Sequence, residues 1–225
     1  MTDETKVRPR LRADAQRNQE QLLAAARDVL VERGTGAPLE EVARRAGVGI
    51  ATLYRRFPDR TALLRAVVLD ALERTSAAAE EALDAAGDGL GALVRYLHAA
   101  LDVRVSAVIP LVLDRLDLED PDLGPARERS AALVQRLVDA AHADGTLAAD
   151  VTFADVGTLL VRLARPLPGL PRDVDGRLAH RHLDLLVAGL RPVPGREPPG
   201  GPQLDRVGLR ALRAADVSSG ADERG

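Results

Sequence analysis

Apolar residues recur every three or four positions along most of this chain, which is the spacing of one face of an α-helix. The first such pattern predicts a helix over 15–33 that Asp14 caps and Gly34 ends. Its inward positions are Leu22, Ala26, Val29 and Leu30. Because no segment alternates with the two-residue period of a half-buried strand, the sequence predicts an all-α fold.

The same pattern divides the rest of the chain into helices. We expect them at about 38–46, 50–57, 60–86, 89–104, 125–143, 152–165 and 174–190. Asp59 is expected to cap the helix at 60–86, and Asp88 or Gly89 to open the helix that follows. Thr152 and Asp155 have the spacing of a capping box, in which each side chain satisfies a backbone amide near the other. The apolar segment 105–116 contains Pro110, so a kink or break is expected there.

These elements predict four regions: a basic arm at 1–13, a three-helix domain at 14–60, a helical bundle at 61–192 and a tail at 193–225. Eight of the eleven residues from Pro192 to Pro202 are proline or glycine, a composition that does not pack into a core. We therefore expect disorder from Gly195 onward, with 204–215 as the one stretch that could form a short docking helix.

Composition narrows the environment in which the protein works. The longest uncharged runs have nine residues, whereas a helix that crosses a membrane needs about 20. Charged side chains stand where a signal peptide needs an apolar stretch, so we expect a cytoplasmic protein with no membrane partner. The absence of cysteine excludes disulfides, thiolate catalysis and cysteine zinc sites.

Charge is unevenly distributed. Residues 1–70 carry 13 basic and 10 acidic side chains, whereas 71–225 carry 18 and 24. Six arginines and a single acidic residue, Asp59, lie within 42–65. This gradient favours an anionic partner for the N-terminal third, with nucleic acid as the first candidate. Lys6 is the only lysine among the 31 basic residues, so the chain uses arginine throughout. A single arginine is therefore weaker evidence of a binding function here than in most proteins.

The stretch 39–57 has the arrangement of a helix-turn-helix: a short helix, a glycine-containing break at 47–49 and a second short helix. Ile50, Leu53 and Phe57 share one face of the second helix and are expected to be buried. The opposite face then presents Ala51, Thr52, Arg55 and Arg56. Small residues followed by arginines suit a helix that enters the major groove of DNA.

Residues 14–67 resemble the DNA-binding domain of the tetracycline-repressor (TetR) family of bacterial transcription regulators. The resemblance rests on the first helix ending at Gly34, on LEEVARRAGV at 39–48, and on TLYRRFPDR at 52–60 followed by ALL at 62–64. One position departs from the family pattern. The residue that opens the second helix of the helix-turn-helix is often serine in the family, and here it is Gly49, which is a weaker cap. The resemblance implies an N-terminal helix-turn-helix DNA-binding domain and a C-terminal helical bundle for ligand binding and dimerisation.

By position, the resemblance also implies which residues contact double-stranded DNA. They are Arg12, Gly49, Ala51, Thr52, Tyr54, Arg55, Arg56 and Arg60. Tyr54 and Arg60 are expected to contact DNA phosphates. The basic arm is expected to lie along the DNA backbone or in the minor groove. The implied protein is a repressor that binds a near-palindromic operator as a homodimer, paired through its last two helices, and responds to a small-molecule effector.

For the effector, the candidate site is an aliphatic pocket edged by Tyr96, His98, Arg104 or Arg162. No catalytic residue, cofactor or metal site is predicted. His180 and His182 are two positions apart and point away from each other on a helix, and His98 has no histidine near it in the sequence. Two other functions stay open: a helical adaptor whose arginine-rich face binds an acidic partner, and a helical enzyme, for which the sequence offers no reactive residue.

Overall fold

The computed structural model describes residues 4–112, 115–117, 120–205 and 208, and within α1 the side chains from Arg17 onward. In these residues all regular structure is helical, which confirms the predicted fold class. The helices are α1 Glu4–Arg33, α2 Leu39–Arg45, α3 Ile50–Arg56, α4 Arg60–Asp84, α5 Gly89–Val103, α6 Val105–Val112, α7 Leu123–Ala143, α8 Phe153–Leu163 and α9 Arg172–Leu190. No helix in the described residues combines the length and the apolar character that crossing a membrane requires.

The chain forms two compact units. The first contains the residues up to Asp70 together with 108–118, and the second contains 71–107 and the residues from 119 onward. Helix α4 supplies residues to both units, so the division falls inside a helix. This division into units does not test the predicted domain limits at 14–60 and 61–192, which stay a prediction.

The first unit is built around the apolar faces of its helices. Helix α1 packs on α2, and α2 on α3. The buried side chains are Leu22, Leu23, Ala26, Val29, Leu30, Leu39, Val42, Ala43, Leu53, Phe57, Leu63, Leu64 and Val67. Burying each leucine or valine contributes about 1.5–3 kcal/mol. An ion pair between Arg27 and Asp70, both largely buried, joins α1 to α4 within this unit.

One predicted helix limit and one predicted break were wrong. Helix α1 begins at Glu4 and not at residue 15, because 4–14 is rich in helix-forming residues and Asp14 lies inside the helix. Helix α5 ends at its C-cap residue Arg104, whose φ of 57° is left-handed, close to the predicted limit, but the helix that follows does not break at Pro110. Helix α6 accommodates Pro110 and ends two residues later, at Val112.

The second unit surrounds α5 with α7, α8 and α9. Two predicted caps are present: the Asp88 side chain accepts a hydrogen bond from the Gly91 amide at 2.6 Å, and Thr152 and Asp155 form the capping box of α8. At the start of α5, the Gly89 amide donates to the Asp144 carboxylate at 2.6 Å. The pKa of Asp144 is lowered, chiefly by the hydrogen bond from the Thr146 hydroxyl and then by the Gly89 amide.

Glycine is required at position 89 by the close approach of α5 to α7. A Cβ atom added there would lie 2.4 Å from the backbone nitrogen of Ala141. We expect Gly89→Ala to destabilise the second unit by about 1–3 kcal/mol, because the backbone of α7 must move to accept the methyl group. Circular dichroism during thermal unfolding measures the effect as a lower Tm.

The matched control is Gly176→Ala, since Gly176 lies in α9 with open space around its α-carbon. There the same substitution is expected to raise stability by up to about 1 kcal/mol, because alanine is the better helix former. A Tm for Gly89→Ala equal to that of the unsubstituted protein would contradict the close approach.

The proline- and glycine-rich segment after α9 makes defined contacts. Arg196 pairs with both oxygens of the Asp150 carboxylate at 2.8 and 2.9 Å, and the Gln203 amide donates to the Asp150 carbonyl at 3.0 Å. These contacts hold Arg196 and Gln203 against Asp150, just before the start of α8. The disorder expected for the tail at 193–225 stays a prediction. The docking helix expected at 204–215 falls almost entirely outside the described residues.

Candidate nucleic-acid interface

Two seven-residue helices, α2 and α3, are joined by a turn that backbone hydrogen bonds define. The Val48 amide donates to the Ala43 carbonyl at 3.0 Å, and the Gly47 amide to the Arg44 carbonyl at 3.2 Å. With Gly47 left-handed at φ 69°, this is the Schellman ending of a helix. The chain then turns at Gly49, whose lack of a side-chain cap agrees with the weak start predicted for α3.

Helix α3 buries one face and exposes the other. Leu53 is fully buried and Phe57 nearly so, as predicted, whereas Ile50 is only half-buried. The exposed residues are Gly49, Ala51, Thr52, Tyr54, Arg55 and Arg56. Tyr54 is 47% exposed, which places its ring outside the core. We call Thr52, Tyr54, Arg55 and Arg56 the α3 outer face.

The two arginines of the α3 outer face differ in their surroundings. The Arg56 guanidinium donates to the Gln19 side-chain oxygen on α1. For Arg55, the described part of the chain supplies neither a hydrogen bond nor an ion pair. Arg55 is therefore the guanidinium on this face that is fully available to a partner.

Arg60 has a role that the sequence did not indicate. One nitrogen of its guanidinium donates to the carbonyls of Thr35 and Ala37, at 2.8 and 2.7 Å. The side chain is half-buried and ties the α1–α2 connection to the start of α4. Asp59 accepts a hydrogen bond from the Ala62 amide at 2.7 Å, as predicted for the cap of α4. A phosphate contact by Arg60 stays a prediction, and only the remaining guanidinium nitrogens are available for it.

Positive charge on α2 is compensated inside the protein. The Glu41 carboxylate lies 2.7 Å from Arg44, 3.5 Å from Arg45 and 3.9 Å from Arg33. The hydrogen bond from Arg44 is the main reason that the pKa of Glu41 is lowered, and the pKa of Arg44 is raised in turn. Because α2 neutralises its arginines and α3 does not neutralise Arg55, the uncompensated charge lies on the α3 outer face.

The Arg12 side chain lies outside the described residues, and the arm that carries it is part of α1. Contacts of all eight residues with DNA stay a prediction.

The structure does not gather the four candidate effector residues into one pocket. Tyr96 is buried, which raises its pKa to about 12, while Arg162 is exposed. A leucine- and valine-lined cavity does lie between α5, α8 and α9, but its volume is about 10 Å³ and none of the four lines it. A larger cleft of about 270 Å³ lies beside Asp150, Thr158 and Arg196. None of the four candidate effector residues lines this cleft either.

His98 has no histidine near it in the sequence but has one beside it in the fold. Its Nδ1 atom lies 2.7 Å from Nδ1 of His180, across the contact between α5 and α9. No local pattern indicated this pair, because 82 positions separate the two residues. Within the described residues no group of three or more histidine or acidic side chains is arranged to hold a metal ion.

Comparison with known proteins agrees with this geometry. A family model for bacterial regulatory proteins of the tetR family matches residues 22–67. The solved structure of a TetR transcription regulatory protein from Mycobacterium vanbaalenii is 32% identical, with a TM-score of 0.57, and the match covers 81% of this chain and 99% of that one. The TetR-like regulator LfrR from Mycobacterium smegmatis, solved in complex with proflavine, is 25% identical with a TM-score of 0.56, covering 76% and 96%.

A curated relative, the HTH-type transcriptional repressor LfrR from Mycolicibacterium smegmatis, is 35% identical over 108 residues. That match covers 48% of this chain and 56% of the repressor, so the chain spans little more than half of its curated relative. The fold and the α3 outer face define a helix-turn-helix protein. The chain belongs to the TetR family of bacterial transcription regulators.

Proposed function

We propose that this protein is a sequence-specific DNA-binding transcriptional regulator, a repressor that binds a near-palindromic operator as a homodimer and responds to a small effector. The observation that carries the proposal is the division of α3 between a buried Leu53 and an exposed outer face. Its first turns present Ala51 and Thr52, which allow close approach to base edges, and its last turn presents two arginines. A protein with this role works in the bacterial cytoplasm, where the chromosome is.

Selection of bound sequences from random duplex DNA tests the proposal. A regulator with this architecture is expected to enrich two inverted half-sites, because a two-fold symmetric dimer binds an operator that has the same two-fold symmetry. Half-site centres should lie one helical turn or a multiple of it apart. Failure to enrich any sequence would contradict the proposal.

Dimerisation through α8 and α9 is supported by exposed apolar side chains at this end of the chain. Leu185 is 61% exposed and Leu186 39%, both on α9, and Leu167 and Leu170 are exposed in the connection before it. Apolar surface of this kind is typical of an interface between subunits. A two-fold axis would place the same leucines of both subunits against each other.

We expect the protein to sediment as a dimer at micromolar concentration and Leu185→Asp to sediment as a monomer, because two carboxylates would be buried at the interface. Analytical ultracentrifugation measures both states. Arg136→Asp introduces the same side chain at an exposed position of α7, outside the two helices of the proposed interface, and should stay dimeric. A monomeric unsubstituted protein would contradict the proposed interface.

Effector binding is proposed for the second unit. The solved LfrR structure holds proflavine, and the match covers 76% of this chain, which is more than the first unit alone. Ligand pockets usually enclose about 300–1,000 Å³, so the cavity of about 10 Å³ between α5, α8 and α9 must open to take an effector. An effector that binds the opened state better than the DNA-bound state would lower operator affinity by shifting the population.

A further inference from the structure

His98 of α5 and His180 of α9 meet nitrogen to nitrogen. Their Nδ1 atoms are 2.7 Å apart, the ring centroids are 5.0 Å apart, and the ring planes differ by 8°. A 2.7 Å separation is a hydrogen-bond distance and is too short for rings that lie face to face. The two imidazoles therefore lie edge to edge in nearly one plane, with the Nδ1 lone-pair directions pointing at each other.

The outer nitrogen of each ring is bound to a carboxylate from the opposite helix. His98 Nε2 lies 3.0 Å from Asp184, and His180 Nε2 lies 3.0 Å from Asp102. Each aspartate follows the histidine of its own helix by four residues, so α5 and α9 contribute the same His–Asp pair in antiparallel directions. Because a carboxylate only accepts hydrogen bonds, both Nε2 atoms carry the hydrogen and both Nδ1 atoms are left bare in the neutral rings.

We propose that His98 and His180 form a binding site for a divalent transition-metal ion, such as Zn²⁺ or Ni²⁺, held between their Nδ1 atoms. Two bare lone pairs at 2.7 Å repel each other unless a cation lies between them. A histidine that binds a metal typically donates its other ring N–H to a carboxylate, which is the arrangement both rings have here. Asp102 and Asp184 also supply the two negative charges that compensate a dication.

The surroundings permit the small movement that metal binding needs. Zinc–nitrogen distances of about 2.0–2.1 Å with tetrahedral angles require the two nitrogens about 3.3 Å apart. The rings must therefore separate by about 0.6 Å, and each must turn by about 35° so that both Nδ1 lone pairs point at one ion. Both histidine side chains are about 30% exposed and both aspartates about 70% exposed, so the rings and their carboxylate partners have room to move together. Water would complete the coordination, because the protein supplies two of the usual four ligands.

The site would join α5 to α9 inside the second unit. A metal ion that binds only the folded protein raises the free energy of unfolding as its free concentration rises above the Kd, so Zn²⁺ should raise the Tm of the second unit. This inference does not depend on the proposed DNA-binding function, because metal binding is measured without DNA.

Isothermal titration calorimetry of the full chain with ZnCl₂ and NiCl₂, after removal of bound metal by a chelator, tests the proposal. One ion per chain is expected. His98→Ala and His180→Ala should each lower the affinity by at least tenfold, and Asp102→Asn or Asp184→Asn by about 10- to 100-fold. His182→Ala is the matched control, since His182 is exposed on the same helix and should leave binding unchanged.

Circular dichroism of each variant checks its fold, and His98→Gln replaces any alanine variant that unfolds. Absence of saturable binding would overturn the proposal, as would equal affinity for the protein with and without His98. A Tm that depends on pH through His98 and His180 with no metal uptake would also overturn it, because the cation between the rings would then be a proton.

Discussion

Replacing Arg55 by alanine is expected to remove most of the operator affinity. An arginine that contacts a guanine edge contributes about 1–3 kcal/mol, or about 5- to 150-fold in affinity. Because a homodimer loses the contact in both half-sites, the expected loss is about 30- to 20,000-fold. Fluorescence anisotropy with a labelled duplex carrying the selected operator measures it.

Arg136→Ala is the control for this effect. Arg136 is exposed on α7 in the second unit, so its substitution removes the same charge without changing the helix-turn-helix. Arg136→Ala is expected to change operator affinity by less than about twofold at moderate salt. Neither variant should unfold, since both side chains are exposed. Unchanged affinity for Arg55→Ala and also for Arg56→Ala would refute the α3 outer face as the DNA-binding surface.

Leu53→Ala is expected to have the largest effect on stability within the helix-turn-helix. Leu53 is fully buried between α3 and the rest of the first unit. Removing its isobutyl group costs about 2–5 kcal/mol, through lost burial and the cavity left behind. Since small domains are stable by only about 5–15 kcal/mol, the first unit should unfold at much lower temperature or denaturant concentration. Urea unfolding followed by circular dichroism measures the change.

Thr52→Ala provides the matched comparison, because Thr52 precedes Leu53 on the same helix but is exposed. Its stability should change by less than about 0.5 kcal/mol, as surface substitutions usually do. Its operator affinity should fall, whereas Leu53→Ala loses affinity only because the helix is no longer held in place. Equal unfolding curves for Leu53→Ala and Thr52→Ala would contradict the burial on which the α3 outer face depends.

Sequence reasoning succeeded where the deciding interactions are local. The three- and four-residue periodicity identified the inward positions of α1 and α3, and short-range chemistry identified the caps at Asp59, Asp88 and Thr152. The exposure of Thr52, Arg55 and Arg56 followed from the same periodicity once Leu53 was placed in the core. These features depend on residues within one or two helical turns of each other.

The features that escaped prediction depend on residues far apart in the chain. Arg60 bonds carbonyls more than twenty positions earlier, so its structural role had no local signal, and the family resemblance implied only a phosphate contact. Arg56 meets Gln19 across 37 positions, and His98 meets His180 across 82. Long polar side chains choose partners according to packing between helices, which a single sequence does not determine.

If the α3 outer face reads DNA sequence, the protein must distinguish its operator from other DNA. The affinity of the full chain for its selected duplex is compared with that for a scrambled duplex of equal length and composition, at one fixed salt concentration near 150 mM. We expect the selected duplex to bind at least about 10³-fold more tightly, the lower range for specific regulators. Equal, salt-sensitive affinity for both duplexes would contradict it and would favour an arginine-rich surface that binds acidic partners without reading their sequence.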